Sequence, residues 1–136
     1  MSRPAGRTVA CDLVAARSRL RQAVALVSVA ELALDDEDEF FGGAAAAVAV
    51  LAGIAASDAA CCARLGRRFR GQDHNGAVDL LKSVRPGGED LARDLARLLS
   101  IKDNAHYGIL AISRPDARNA VDRARRLTDS VAGIIA

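Results

Sequence analysis

From Phe40 to Ala56 the chain reads FFGGAAAAVAVLAGIAA, 17 residues without a charged or polar side chain. No other stretch constrains the fold as tightly. Ala44 to Ala47 is an alanine run, and alanine is the strongest helix former because ordering it costs no side-chain entropy. A helix that is apolar on nearly every side must be covered on nearly every side. The run continues through Ser57 and Asp58 and ends in the basic residues Arg64, Arg67, Arg68 and Arg70. We read Phe40 to Arg68 as the central helix of the domain, with Gly42 and Gly43 marking its start. A membrane span is the competing reading. At 17 residues the uninterrupted run is shorter than the roughly 20 needed, and alanine partitions weakly into lipid, so a core helix and no membrane partner is the expectation.

The residues around this stretch set the kind of core it enters. Of 136 residues 51% are hydrophobic but only 3% are aromatic, so alanine, leucine and valine must fill the interior by close approach of helices. The length suits one domain, residues 8–136, behind a flexible N-terminus at 1–7 that contains Pro4 and Gly6. A net charge of +2, with both signs interspersed, is too small to imply nucleic-acid binding by itself. Cys11, Cys61 and Cys62 are an odd number in no metal-ligand spacing, which points to small buried thiols in a reducing compartment. No apolar leader segment precedes Leu13, and a cytoplasmic location is the expectation.

The flanking segments read as helices. Thr8 is placed to cap a long helix running to about Leu34, with Val9, Leu13, Ala16, Leu20, Val24, Val27 and Leu34 along one face. Glu31 falls on that line and is expected at its edge. Asp35 to Glu39 is an acidic turn, without the glycine or distal glutamate of a calcium-binding loop. Asp73 begins a short helix from His74 to Val84, stopped by Pro86-Gly87-Gly88. The next helix opens on Glu89 and Asp90 and buries Leu91, Leu95, Leu98 and Leu99, with Glu89–Arg93 and Asp94–Arg97 as surface pairs. Ser113-Arg114-Pro115-Asp116 begins the last helix, striped by Ala117, Ala120, Val121, Ala124, Leu127, Val131 and Ile134. No segment alternates with strand period. The expected fold is all-α: an antiparallel bundle of four long helices plus one short helix.

Candidate chemistry is sparse. Lys102, His106 and Tyr107 lie near one helix end, and Lys102 and His106 share a face, a combination able to serve acid–base work on a phosphodiester. A wet Tyr107 hydroxyl closing the bundle and a surface His106 explain the same residues structurally. His74 lies six positions after Arg68. Arg64, Arg67, Arg68 and Arg70 are candidate nucleic-acid contacts, although basic residues at a helix end also complement its dipole. No metal cluster, phosphate-binding glycine loop or nucleophile triad is present in the sequence, and neither a metal nor a cofactor is expected.

The order of these features resembles the HEPN family of small prokaryotic helical-bundle domains, over residues 44–135. The resemblance rests on four elements. They are the small-residue helix through Ser57-Asp58-Ala59-Ala60, the segment His74 to Leu81, the Leu95 to Tyr107 helix ending Lys102-x-x-Ala105-His106-Tyr107, and the alanine-bearing last helix from Asp116. It implies a four- to five-helix bundle, often a symmetric dimer. Some members are metal-independent ribonucleases, often toxins, whose hallmark is an arginine a short distance before a histidine in a late helix. Here the nearest arginine before His106 is Arg97, too far back, whereas the Arg68–His74 spacing fits but falls earlier in the chain. Members with eroded motifs are binding or accessory modules.

Two readings follow. The first is a non-catalytic HEPN-like bundle that acts by protein association, as a homodimer or with a cognate protein partner. The second is a metal-independent endoribonuclease or RNA-binding protein of toxin–antitoxin or defence type, with His106, Tyr107, Lys102 and His74 as its catalytic groups.

Overall fold

The computed structural model describes residues 7–71, 73–107 and 112–136, with the backbone alone for 102–107. Seven elements follow in order: β1 (Thr8–Ala10), α1 (Leu13–Leu34), α2 (Glu39–Leu65), β2 (Arg67–Phe69), α3 (Asn75–Leu81), α4 (Gly88–Tyr107) and α5 (Arg114–Ile135). The described residues are mostly helical, four helices being long and one short. Residues 1–6, most of the segment expected to be flexible, lie outside the described residues. Arg7, its last residue, accepts at its carbonyl a hydrogen bond from the Arg70 N–H at 2.7 Å.

α2 is central. It packs against α1, α4 and α5, and α1 is its most extensive neighbour. A five-residue separation at one end (Leu34 to Glu39) and a covalent tie at the other make α1 and α2 run side by side in opposite directions. Ala16, Ala23 and Ala30 of α1 and Ala45, Ala49, Ala52, Ala56 and Ala59 of α2 are fully buried. α5 follows α2 in the same sense, since Gly42 faces Ala117 near their starts and Arg64 donates to the Ile134 carbonyl near their ends. Among the described residues α2 is the one helix long and apolar enough to cross a membrane by length and composition. Of its most apolar window 56% is buried inside the protein.

The helix termini follow ordinary capping rules, at positions that differ from some of those expected. Asp12, not Thr8, caps α1, accepting from the Ala15 N–H at 2.8 Å. Thr8 instead lies in β1. Asp38 caps α2 through the Phe40 N–H, so the acidic turn starts the helix before Gly42 and Gly43 are reached. α2 ends at Leu65 rather than Arg68 because Gly66 takes the left-handed conformation (φ +72°) that closes a helix C-terminus. The chain then reverses and Arg67–Phe69 pairs antiparallel with Thr8–Ala10, with Val9 opposite Arg68. The sequence shows no strand period here because three-residue strands are too short to display one. α3 is shorter at both ends than the expected His74 to Val84, Asp73 accepting from the Asn75 N–H at 3.0 Å. Ser113 caps α5 as expected, accepting from Asp116 N–H at 3.2 Å.

Three side-chain expectations are corrected. Cys11 and Cys62 are not free thiols but a disulfide, and only Cys61 is free. Their separation of 51 in sequence carries no signature; the α1–α2 pairing brings them together. Arg93 pairs with Asp90 at 2.8 Å rather than with Glu89, both positions being neighbours of Arg93 on the helix surface. Asp94 turns inward to α5, meeting Arg123 at 2.9 Å and Arg126 at 3.7 Å, instead of Arg97. Glu31 does sit at the edge of its face, held by a two-pronged bond to Arg125 at 2.6 and 3.0 Å.

Closing a loop of this length lowers the entropy of the unfolded chain, a stabilisation of about 4 kcal/mol in the chain-entropy account. Cys62→Ala is expected to lower unfolding free energy by about 2–4 kcal/mol in urea titrations. Thiol counting on unfolded protein should find one thiol per chain without reductant and three with it, against the three in both states of a disulfide-free chain. Glycine substitutions give a second check. A Cβ on Gly88 would lie 2.6 Å from the Leu81 carbonyl oxygen and 2.7 Å from that of Lys82, whereas one on Gly43 meets nothing within 4 Å. Gly88→Ala should destabilise and Gly43→Ala should stabilise by about 0.5–1 kcal/mol, read from thermal melts.

Candidate functional site

Ser57 and Asp58 are the first polar side chains after the apolar run, and both are buried in α2. A carboxylate cannot enter such a helix without partners, because removing it from water costs several kcal/mol. Asp58 finds them from two directions. Arg19 of α1 donates to Oδ2 through Nη2 at 2.8 Å and through Nε at 3.2 Å. Arg68, returned over α2 by the turn at Gly66, places Nη1 3.9 Å from the same oxygen. His74, half-buried just before α3, is near enough for its charge to act on the carboxylate. Burial raises the Asp58 carboxyl above its ordinary value. The Arg19 charge and hydrogen bond, then Arg68 and His74, pull it back only in part.

Cys61 lies one helical turn beyond Ser57 and Asp58. Its thiol is pushed up to about 12, first by burial and then by the Asp58 charge, against a smaller opposing hydrogen bond from Ser57. At neutral pH it is therefore a protonated thiol and a poor nucleophile. Asp58 Oδ2 is already occupied by guanidinium groups, which fits a structural anchor better than a general base. Cys11–Cys62 closes the same end of the molecule, and the Cys11 N–H donates to the Gly66 carbonyl at 3.0 Å. One ring of interactions thus joins α1, α2, β1, β2 and the start of α3.

The residues singled out from the sequence distribute unevenly around this centre. Arg68 and His74 are brought to it. Arg64 is exposed in the last turn of α2 and donates to the Ile134 carbonyl at 3.2 Å, tying α2 to α5. Arg67 and Arg70 are exposed on and just beyond β2. The side chains of Lys102, His106 and Tyr107 lie outside the described residues. No group of three or more metal-binding side chains occurs among the described residues. Sequence reasoning missed Arg19 and Asp58 as a pair. The signal was there, since a lone aspartate inside an apolar helix requires a cation, but nothing in the sequence selects Arg19 over its neighbours Arg17 and Arg21.

Compared with protein-family models, with curated proteins and with solved structures, the chain matches none.

Removing the cation should cost more than neutralising the anion. In Arg19→Ala the buried carboxylate loses its one hydrogen-bonded cation and keeps the more distant Arg68 and His74. The expected loss at neutral pH is about 2 kcal/mol, less than the 3–5 kcal/mol of a fully buried pair because Arg19 is a third exposed. Asp58→Asn should cost less. The pH dependence has a defined sign. A carboxyl raised in the folded state holds its proton more tightly there than when unfolded. Its contribution is fully present below the unfolded aspartate value of 3.8 and is lost as pH rises through the folded one. Arg19→Ala moves that folded value higher, so its deficit relative to wild type should shrink as pH falls. A deficit that is constant with pH would show that the loss is one of packing.

Proposed function

We propose that the protein is a non-catalytic, HEPN-like bundle of four long antiparallel helices and one short one, which works by association as a homodimer. The observation that carries this reading is a set of exposed large apolar side chains on the C-terminal half of α1 and the N-terminal half of α2. Val29 and Leu32 are 52% and 71% exposed, and Phe40, Phe41 and Leu51 are 62%, 44% and 48% exposed. Two of the three phenylalanines of the chain are thus on its surface, in a protein with few aromatics. Exposed apolar side chains in this number favour an interaction site, where aromatic residues serve as anchors.

The charges beside this surface favour a second copy as its occupant. The outer face of α1 carries the exposed Arg17 and Arg21, then Ala25, Val29 and Leu32, and ends in the exposed acidic turn Asp35 to Glu39. At 1.5 Å per residue the arginines and the turn are about 24 Å apart. A two-fold axis between Ala25 and Val29 would lay the arginines of each protomer beside the acidic turn of the other, with the apolar residues between. One patch would satisfy itself on both sides, as a two-fold interface requires. The ribonuclease reading has weaker support, because Arg68, its best-spaced arginine, faces Asp58.

Light scattering after size-exclusion chromatography is expected to give twice the 14.2 kDa chain mass. Leu32→Asp and Phe40→Asp should each yield a monomer of unchanged helicity. A wild-type protein that stays monomeric at high concentration would overturn the proposal.

A further inference from the structure

The two-stranded ribbon places like charges face to face. In its register Val9 is opposite Arg68, and the hydrogen bond from Arg70 N–H to the Arg7 carbonyl extends the same pairing by one step. Residues directly opposite in an antiparallel pair share a face, and so do alternate residues along each strand. Arg7, Arg68 and Arg70 therefore stand on one face. Arg7 and Arg70 are directly opposed, an arrangement that repels unless something negative lies between them. Both are exposed, and among the described residues neither makes an ion pair or side-chain hydrogen bond.

Of the carboxylates at this end, Asp58 already holds Arg19 at 2.8 Å and stands 3.9 Å from Arg68, Asp12 caps α1, and Asp73 accepts from the Asn75 N–H. The acidic turn begins at the far end of α1, about 33 Å along the helix. Against this unbalanced charge lies a concavity of about 660 Å³, lined by Arg7, Thr8, Val9, Arg70 and Gly71. The two side chains that share this face offer a pair of guanidinium forks, donors matched to a tetrahedral oxyanion. The site is also fixed in advance. Cys11 directly follows β1 and is bonded to Cys62 near the end of α2, so the ribbon cannot swing away from the helix that carries it.

We infer that the concavity between Arg7 and Arg70 is a binding site for a phosphate group, free or as a phosphomonoester. Two arginines supply the charge and the donors, and the disulfide ties the ribbon to α2.

The test uses the full chain, with inorganic phosphate and glycerol phosphate as separate probes and chloride at matched ionic strength as the control. Isothermal titration and backbone amide shifts by NMR provide the readout. Both phosphate probes should bind saturably, with the shifts centred on residues 7–10 and 67–71. Arg7→Gln and Arg70→Gln should each weaken binding about tenfold or more, while Arg67→Gln, on the other ribbon face, should leave it within about twofold. These side chains are exposed, and circular dichroism checks that each variant is folded. Binding of inorganic phosphate alone would limit the site to the free anion. Equal shifts with chloride, or equal losses in all three variants, would overturn the proposal and leave a diffuse charge effect.

Discussion

The close packing of α1 on α2 is the constraint from which most of the structure follows. The residues buried between and around these helices are largely alanines, whose backbones can approach where larger side chains would hold them apart. Close approach has an energetic consequence. Each buried methyl contributes only about 0.8 kcal/mol, against about 1.5–3 kcal/mol for a leucine or valine. Val27 and Val50 apart, the largest buried side chains are elsewhere. Leu81, Val84, Leu95, Leu98, Leu127 and Val131 come from α3, the loop after it, α4 and α5. Gly53 shows how tightly that side meets α2, since a Cβ there would fall 2.6 Å from a Leu98 methyl. The α1–α2 pair thus draws on fewer buried carbons for its length than the opposite side of the core. Its ends are where additional fastening occurs: a disulfide and the Asp58 ion pairs at one, and Arg114 bonding the Leu34 and Asp36 carbonyls at the other.

Asp58 is informative because its position is unfavourable for a charge. Its raised carboxyl value shows that burial outweighs even two arginines. A well-packed apolar residue would often stabilise such a position as much or more. What an ion pair adds is registry. Arg19 can reach Asp58 only when α1 is aligned correctly along α2, and along an alanine seam neighbouring alignments differ little in shape. The same pairing sets the distance between Cys11 and Cys62, whose Cα atoms are 5.3 Å apart. A slip of one helical turn would move one partner by about 5.4 Å and break both connections.

Much of this was legible in the sequence, and the unread parts share a cause. The central helix, the stripe of α5 and the Ser113 cap follow from local periodicity and capping chemistry, which depend on residues close together in the chain. So does the burial of Leu91, Leu95 and Leu98. The ribbon was not legible, because three residues cannot display alternation and Arg67-Arg68-Phe69 resembles a basic helix end. The disulfide, the Arg19–Asp58 pair and the turn of Asp94 towards Arg123 join residues 51, 39 and 29 positions apart. Pattern identifies residues that need a partner, but only the packed fold selects the partner.

The two ends of the α1–α2 pair differ in chemistry. At the end carrying the ribbon, covalent and ionic ties converge and polar groups are anchored, while excess arginines remain outward. Rigidity there suits recognition of a compact charged group, since donors already held in place lose little entropy on binding. At the other end the turn is fastened by its caps and by Arg114, and the adjoining helix surfaces carry bare valine, leucine and phenylalanine. An apolar surface of this kind gains by being covered, and its reward grows with area rather than with any single contact. Screening acts on the first surface more than on the second. On the two proposals, added salt should weaken phosphate binding at the ribbon and the Arg17 and Arg21 pairing of the dimer, and spare only the apolar part of that interface.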